Sequence, residues 1–389
     1  MPDRSNWPVF YTFGLAVKYL FAGLSIIGLA GCQQTAPLQT HIAKESTAAI
    51  NTPVAVYSTY LSESAQARCT SVNQQQCTDD VISSEEFFSA INELAFLPQA
   101  EKSVHHTDYE LLIGNQATSV DVATWWQKGL HSLSAGQYAL PVETHYFTEV
   151  TLQWRGVELD THLITTQSVA GNSETPDSQA KAILSQWQAH ALQSDVFGAP
   201  FLFSAMQASD YLNQMEVPSQ IASFTLSDTQ LYHDPFKGVI SRYTHPEFDG
   251  ALIDITVFPI TSSLSAGNEK LLQSVLTQEL DDAGIIADAR GMSLSVDAPV
   301  TPFHFESGNT SYEGFMMAVS ANSEASEQLF ASTYVFRQHD KIIKLSTTFP
   351  PRVSDALIAT AIPKIRVPAE SVLMATLREI RESQQSAVN

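Results

Sequence analysis

The sequence predicts an α+β protein of two domains, each a mostly antiparallel sheet packed with helices. Three observations carry that prediction. Two long hairpins, residues 145–166 and 329–349, bring the apolar residues of both arms onto one face when the turn sets the register. Antiparallel hairpins are interspersed with helices, which argues against a doubly wound parallel sheet. The chain has 389 residues, 44% of them hydrophobic, and a chain of that size usually splits into two cores.

The first element is a leader. Lys18 precedes an apolar run, residues 19–31, that closes on Leu29-Ala30-Gly31-Cys32. A basic residue, a short apolar core and small residues before a cut site form the signal-peptide pattern. The run is shorter than the ~20 residues that cross a bilayer. An uncleaved anchor over residues 9–31 would hold Lys18 mid-span, at a cost of about 2.5–3.5 kcal/mol. Leu29, Ala30, Gly31 and Cys32 resemble the lipobox of bacterial lipoproteins position by position. The resemblance covers the leader alone. It implies cleavage before Cys32, a diacylglyceryl thioether on its sulfur and acylation of the freed amine. Gln33, where retained lipoproteins of Gram-negative bacteria often carry Asp, implies the outer membrane. Two or three acyl chains anchor stably where one does not. Residues 32–52 are polar and aperiodic, and read as a tether reaching roughly 25 Å on average.

The first domain is expected over residues 53–215. A strand is expected at 54–60. Ser84 reads as the N-cap of a helix with Phe87, Phe88, Ile91 and Leu94 on its buried stripe. A strand at 108–113 is expected to stop at Gly114-Asn115, and a helix at 120–133 to end before Gly136. In the hairpin at 145–166, Trp154 opposite Val157 puts Tyr146, Val150, Leu152 and Trp154 on one face, continued by Val157, Leu159, Thr161 and Leu163. Arg155 is a poor residue for a two-residue primed turn, which favours a longer loop. Thr175-Pro176 reads as N-cap and first position of a helix that buries Ala180, Ile183, Leu184, Trp187 and Ala191. Apolar helical material continues over 197–215.

The second domain is expected over residues 216–389. Strands are expected at 221–226, 239–243 and 252–259, then a helix at 268–283 capped by Asn268 and closed near Gly284. Strands follow at 292–296, 303–306 and 312–320. The second hairpin turns at residues 338–341 and aligns Phe336 with Ile343, Tyr334 with Leu345 and Phe330 with Phe349. Helices at 353–362 and 369–381 close the chain before a frayed tail. This order of strands, one helix, a long hairpin and a closing helix resembles the small α/β sandwiches of the PsbP and Mog type, at the level of fold alone.

Charge excludes some functions. Removing residues 1–31 takes Asp3, Arg4 and Lys18 from 41 acidic and 20 basic residues and leaves a body of formal charge −22. Such a balance argues against binding nucleic acid, which needs a basic face, and against lying on anionic lipid through a polybasic patch. Excess carboxylates keep a secreted domain soluble. Cys69 and Cys77 are the cysteines outside the lipobox, and the oxidising envelope implied by the leader makes them a disulfide. The loop of about nine residues is worth about 2.6 kcal/mol on the chain-entropy estimate. A metal pair or redox couple is the alternative, without the C-x-x-C spacing that favours it.

Candidate chemistry is thin. The sequence holds no G-x-S-x-G, H-E-x-x-H or P-loop. Ser178-Gln179-Ala180-Lys181 matches S-x-x-K at a helix start, where Lys181 would activate Ser178, but K-T-G and S-D-N partners are missing. His105, His106 and Asp108 offer imidazole and carboxylate to a metal, without a second cluster to complete it; solvated loop residues are the plainer reading. Glu149 opposite His162 would be an acid–base pair or surface decoration. His245, Glu247 and Asp249 sit in a segment ending in the turn signal Asp249-Gly250, and Asp281-Asp282 reads as a solvated helix end. Trp125 and Trp126 point about 100° apart on a helix. One is expected in the core and the other partly exposed, where it could anchor a partner or a glycan.

The resulting expectation is a lipid-anchored envelope protein without catalytic residues, metal or cofactor beyond the lipid on Cys32. It binds the membrane through that lipid, and an envelope protein as partner. The alternatives are an envelope hydrolase with an unrecognised site and a carrier of a small apolar ligand.

Overall fold

The computed structural model describes residues 52–388, apart from 73–76, 103–106, 134–140, 170–174, 265–266 and 324–325. The leader, Cys32, the tether, Gly136, His105 and His106 lie outside the described residues. The fold is α+β, in two compact units that divide between Met206 and Gln207. Residues 207–215, read from sequence as the end of the first domain, fall in the second unit.

In the first unit the order is β1 (Val54–Ser58), α1 (Glu63–Val72), β2 (Thr78–Asp79), α2 (Ser84–Leu94), β3 (Ala100–Lys102), β4 (Tyr109–Asp121), α3 (Trp125–Leu133), β5 (Val142–Trp154), β6 (Val157–Val169), α4 (Pro176–Ser194) and α5 (Ala199–Ala205). The sheet runs β3-β1-β4-β5-β6, with β2 paired to β4. β1 is parallel to β3 and β4, and the other pairings are antiparallel. Side chains alternate across a strand, so the two faces receive different helices. On one face, Leu61, Ala65 and Cys69 pack on Phe147, with Cys77 and Leu163 partly buried beside them. Cys69 and Cys77 are joined as a disulfide. The other face carries Val150, Leu152 and Trp154, all buried, on the side of α2 and α4.

The expected stop at Gly114-Asn115 does not occur: β4 runs straight through it. A Cβ on Gly114 would lie 2.9 Å from the carbonyl oxygen of Thr59, so glycine here admits a neighbouring backbone rather than a turn. Asn115 is buried and serves as a bracket. Its Oδ1 accepts from the N–H of Ile82 and its Nδ2 donates to the carbonyl of Ile82, both at 2.9 Å. The N-cap of α2 is Ser83, one residue before the expected Ser84, because Ser83 and Glu86 close a reciprocal capping box. Thr175 and Pro176 open α4 as expected.

The first hairpin turns on Arg155-Gly156 alone, both with positive φ (49° and 81°), contrary to the longer loop expected. Arginine is held there because its N–H donates to the carbonyl of Asp108 at 2.7 Å and its Nε to the Asp108 carboxylate at 2.8 Å. Trp154 pairs with Val157 as expected, but the register slips between Leu152 and Gln153. This bulge brings Val150 opposite His162 and Glu149 opposite Leu163. Val157, expected on the buried face, is 46% exposed.

The second unit contains α6 (Tyr211–Gln214), β7 (Gln220–Ile221), β8 (Phe224–Leu231), β9 (Val239–Thr244), β10 (Leu252–Pro259), α7 (Asn268–Ala289), β11 (Ser293–Ser307), β12 (Thr310–Ser323), β13 (Ser326–Gln338), β14 (Lys341–Thr347), α8 (Pro351–Ala361), a 3₁₀ turn (Ile362–Lys364) and α9 (Val372–Val388). Its sheet is antiparallel, in the order β11-β12-β13-β14-β10-β9-β8-β7. Leu272 and Leu276 of α7 pack on Ile260, Phe315, Met317, Val335 and Ile342. Tyr334, one residue from Val335, faces the opposite side and donates its hydroxyl proton to Asp355 of α8 at 2.6 Å. α7 passes through Gly284, whose missing Cβ faces open space, and ends at Ala289. Its N-cap is Gly267, while Asn268 accepts from Arg337 at 2.9 Å. The strands expected at 292–296 and 303–306 are one bulged strand, β11. Phe336↔Ile343 and Tyr334↔Leu345 pair as expected, whereas β14 ends before Phe349. α9 continues into the segment expected to fray.

Candidate interaction surface

The sequence Thr124-Trp125-Trp126-Gln127 has the T-x-x-Q spacing of a capping box. In the structure Gln127 Oε1 accepts from both the N–H and the hydroxyl of Thr124 at 2.8 Å, and the N–H of Lys128 reaches the Thr124 carbonyl at 3.1 Å. Asp121, at the end of β4, accepts from the N–H of Ala123 at 2.8 Å and pairs with Lys128 at 3.0 Å. The Ala123 N–H and the Lys128 ammonium hold the Asp121 carboxyl below its usual range. These bonds define α3 locally. They are needed, because an isolated helix shorter than about 12–15 residues is marginal in water and α3 has 9.

α3 is inside out. At about 100° per residue, Trp126, Leu130 and Leu133 fall within roughly 60° of one another, and Trp125 flanks them. The half-buried residues Gln127 and His131 follow on one edge of the stripe, and Lys128, opposite its centre, is exposed. The apolar stripe is therefore turned to water, as are Lys128 and Ser132, while Gln127 and His131 are half-buried. Trp125 is 86% exposed, Trp126 50%, Leu130 40% and Leu133 87%. The expectation of one core tryptophan is thus overturned. Neither indole enters the core. Scattered exposed apolar residues are ordinary, but a continuous stripe of two Trp and two Leu on one helix is a candidate contact surface.

The other sequence candidates are dispersed. Ser178 and Lys181 are not paired. The Ser178 hydroxyl donates to the carbonyl of Thr175 at 2.8 Å, and Lys181 binds Glu93 at 2.6 Å and Asp177 at 2.8 Å. Those two carboxylates raise the pKa of Lys181, the reverse of what a general base requires. Asp108 is the anchor of Arg155. Glu149 accepts from the N–H and hydroxyl of Ser62 at 2.6 and 2.7 Å and does not meet His162. His245 Nδ1 accepts from the N–H of Glu247, and its ring meets Phe224 and Phe248. Gly250 turns with φ 85°. Asp282 accepts from Gln278, one turn earlier in α7. Among the described residues no group of three or more His, Cys, Asp or Glu side chains is placed to hold a metal. Nor is any described helix long and apolar enough to cross a membrane.

A cluster that sequence reasoning missed lies between β6 and α4. Nε2 of His190 is 2.9 Å from Asp160 Oδ2, and the rings of His190 and His162 stack at 4.3 Å with 10° between planes. The bulge turns Asp160 and His162 toward α4. Burial and the neighbouring His190 lower the pKa of His162. Between that lowered pKa and the ordinary His value the unfolded chain binds more protons than the folded one, so stability is lost as pH falls through that window. The melting temperature of the body is expected to drop on acidification from pH 7 to 5, and His162→Phe to flatten the drop. Among the described residues no hydroxyl or thiol bonds either imidazole, so the cluster has an orienting carboxylate without a nucleophile.

Cavities formed by the described residues are small. One, of about 30 Å³, lies between the end of α7 and strands β11–β13 and is lined by Ile286, Met292, Leu294, Val319 and Phe330 among others. Another, of about 140 Å³, lies at the C-terminal end of β1 beside Phe87, Phe88 and Lys102. Neither approaches the ~300–1,000 Å³ of a drug-sized ligand site.

No protein-family model matches the chain, and no curated protein does. The chain is similar to the solution structure of cyanobacterial PsbP (CyanoP) from Synechocystis sp. PCC 6803. The likeness covers 40% of this chain and 94% of that one, at 10% identity and a TM-score of 0.25. At that score it carries neither family nor function.

Proposed function

We propose that this chain is a lipid-anchored module of the bacterial envelope that acts by binding rather than by catalysis. One observation carries the reading: a short helix, tied at its start by Thr124 and Gln127, that turns its Trp and Leu stripe to water. Burying such side chains on association is worth about 1.5–3 kcal/mol each. The engagement of Ser178 and Lys181 with other partners supports the non-catalytic reading. The lipobox-like Leu29-Ala30-Gly31-Cys32 supports an anchor at Cys32, and Gln33 favours the outer membrane.

The test has two arms. Mass spectrometry of the N-terminal peptide should find acylated Cys32, and Cys32→Ser should move the protein from the membrane to the soluble fraction. In vivo crosslinking should trap the wild-type chain in a discrete complex that Trp125→Ala/Trp126→Ala abolishes without shifting the melting temperature. A purified body that turns over an envelope substrate, and stops when Ser178 or His190 is replaced, would sink the reading.

A further inference from the structure

The direction in which α3 points selects what it binds. β4 runs parallel to β1, with Tyr109 level with Val54 and Ile113 level with Ser58. It then continues from Gly114 to Asp121 before α3 begins. At about 3.3 Å per residue, α3 stands roughly 40 Å along the strand from the level of Val54, where the chain enters the sheet. The segment before Val54, read as a tether, reaches roughly 25 Å on average. The tether therefore enters one end of this sheet, and the Trp–Leu stripe leaves from the other.

We propose that the outward face of α3 seats in an apolar groove, rimmed by basic side chains, on a second envelope protein lying away from the membrane that holds the lipid. This rests on the binding-module reading and names its partner. Trp126, Leu130 and Leu133 stand at i, i+4 and i+7, the spacing of a helix laid in a groove. The Thr124–Gln127 bonds and the Asp121–Lys128 pair supply the helix already formed, so association does not bear the entropy of folding it. The body's charge of −22 opposes an anionic lipid surface and a second copy of the same chain, and favours a basic rim.

The test places the photocrosslinking residue benzoylphenylalanine singly at Leu130, Leu133 or Lys128 of the full-length acylated chain, in intact envelopes. Adducts to one protein are expected from Leu130 and Leu133, at least about tenfold stronger than from Lys128, and lost in the background of Trp126→Asp. Trp126 is half exposed, so that variant should keep the wild-type melting temperature. The captured protein, once purified, should bind the wild-type body at least thirtyfold more tightly than the Trp126→Asp body, a loss about the size of a hot-spot truncation. Binding should also weaken as salt is raised from 0.1 to 0.5 M, as a basic rim requires. Adducts to lipid, adducts to the chain itself, or indifference to Trp126→Asp or to salt would overturn the proposed partner; the first two would leave α3 standing as a contact surface. Adducts no stronger than those from Lys128 at either apolar position would overturn both the partner and the surface.

Discussion

Lys341→Met is expected to destabilise the 207–389 unit by about 3–5 kcal/mol. The Lys341 side chain is fully buried, with its ammonium 2.5 Å from Asp340 Oδ2, and Asp340 is itself buried. Arg378 approaches the same oxygen at 3.6 Å, bonds the carbonyl of Ile260 at 2.6 Å and engages Glu370 of the segment leading into α9. The β13–β14 turn, the end of β10 and α9 are thus joined through Asp340 and Arg378. Burial lowers the pKa of Lys341 and Asp340 opposes the shift. Taking the ammonium away leaves the Asp340 carboxylate in the interior facing a single distant guanidinium. The double variant Asp340→Asn/Lys341→Met removes the stranded charge and should recover most of the loss. A double-mutant cycle by urea unfolding measures the coupling, with unchanged m-values confirming the same transition. Equal costs for the single and the double variant would mean that the pair contributes nothing through its charge.

Trp187→Ala is the second large effect, again about 3–5 kcal/mol, this time in the 40–206 unit. Trp187 is completely buried in α4, with its ring 5.7 Å from Phe96 and 6.3 Å from Phe197. Those rings tie the helix to the end of α2 and to the turn before α5, and alanine would empty the space between them. Trp187→Phe should cost far less. The indole N–H has no acceptor among the described residues, so phenylalanine gives up contact area but also a buried polar group. Thermal unfolding of the two variants separates the readings. A phenylalanine variant as unstable as the alanine variant would show an indole bond that matters.

Much of the fold could be read from local chemistry. Thr175-Pro176, the apolar stripe of α4 and the Phe336↔Ile343 pairing all follow from rules that act over a few residues. The misreadings share a cause, namely partners far away in sequence. Gly114-Asn115 looks like a stop until Thr59 and Ile82 arrive beside it. Arg155 looks wrong for a primed turn until Asp108 holds it. A single extra residue at the Leu152/Gln153 slip converted an expected Glu149–His162 pair into the Asp160–His190–His162 cluster, and nothing within the hairpin announces that bulge. The candidate surface was half legible. The Trp pair and the helix were evident, and T-x-x-Q was there to be seen. What was not legible was orientation, because an amphipathic stripe is ordinarily turned inward and α3 turns it outward.

The pairing of β1 with β4 has a mechanical consequence. A partner that holds α3 while the chain is drawn back through the residues before Val54 pulls β4 by its C-terminal end and β1 by its N-terminal end. On parallel neighbours these forces are opposed and run along the strands, so the bonds from Val54↔Tyr109 to Ser58↔Ile113 are sheared together instead of unzipped in turn. The wide β4–β5 ladder, from Tyr109↔Trp154 to Asp121↔Val142, spreads the pull across the sheet. Such a geometry lets a short five-residue strand serve as a strain-resistant coupling between a surface and whatever grips the far end of the sheet.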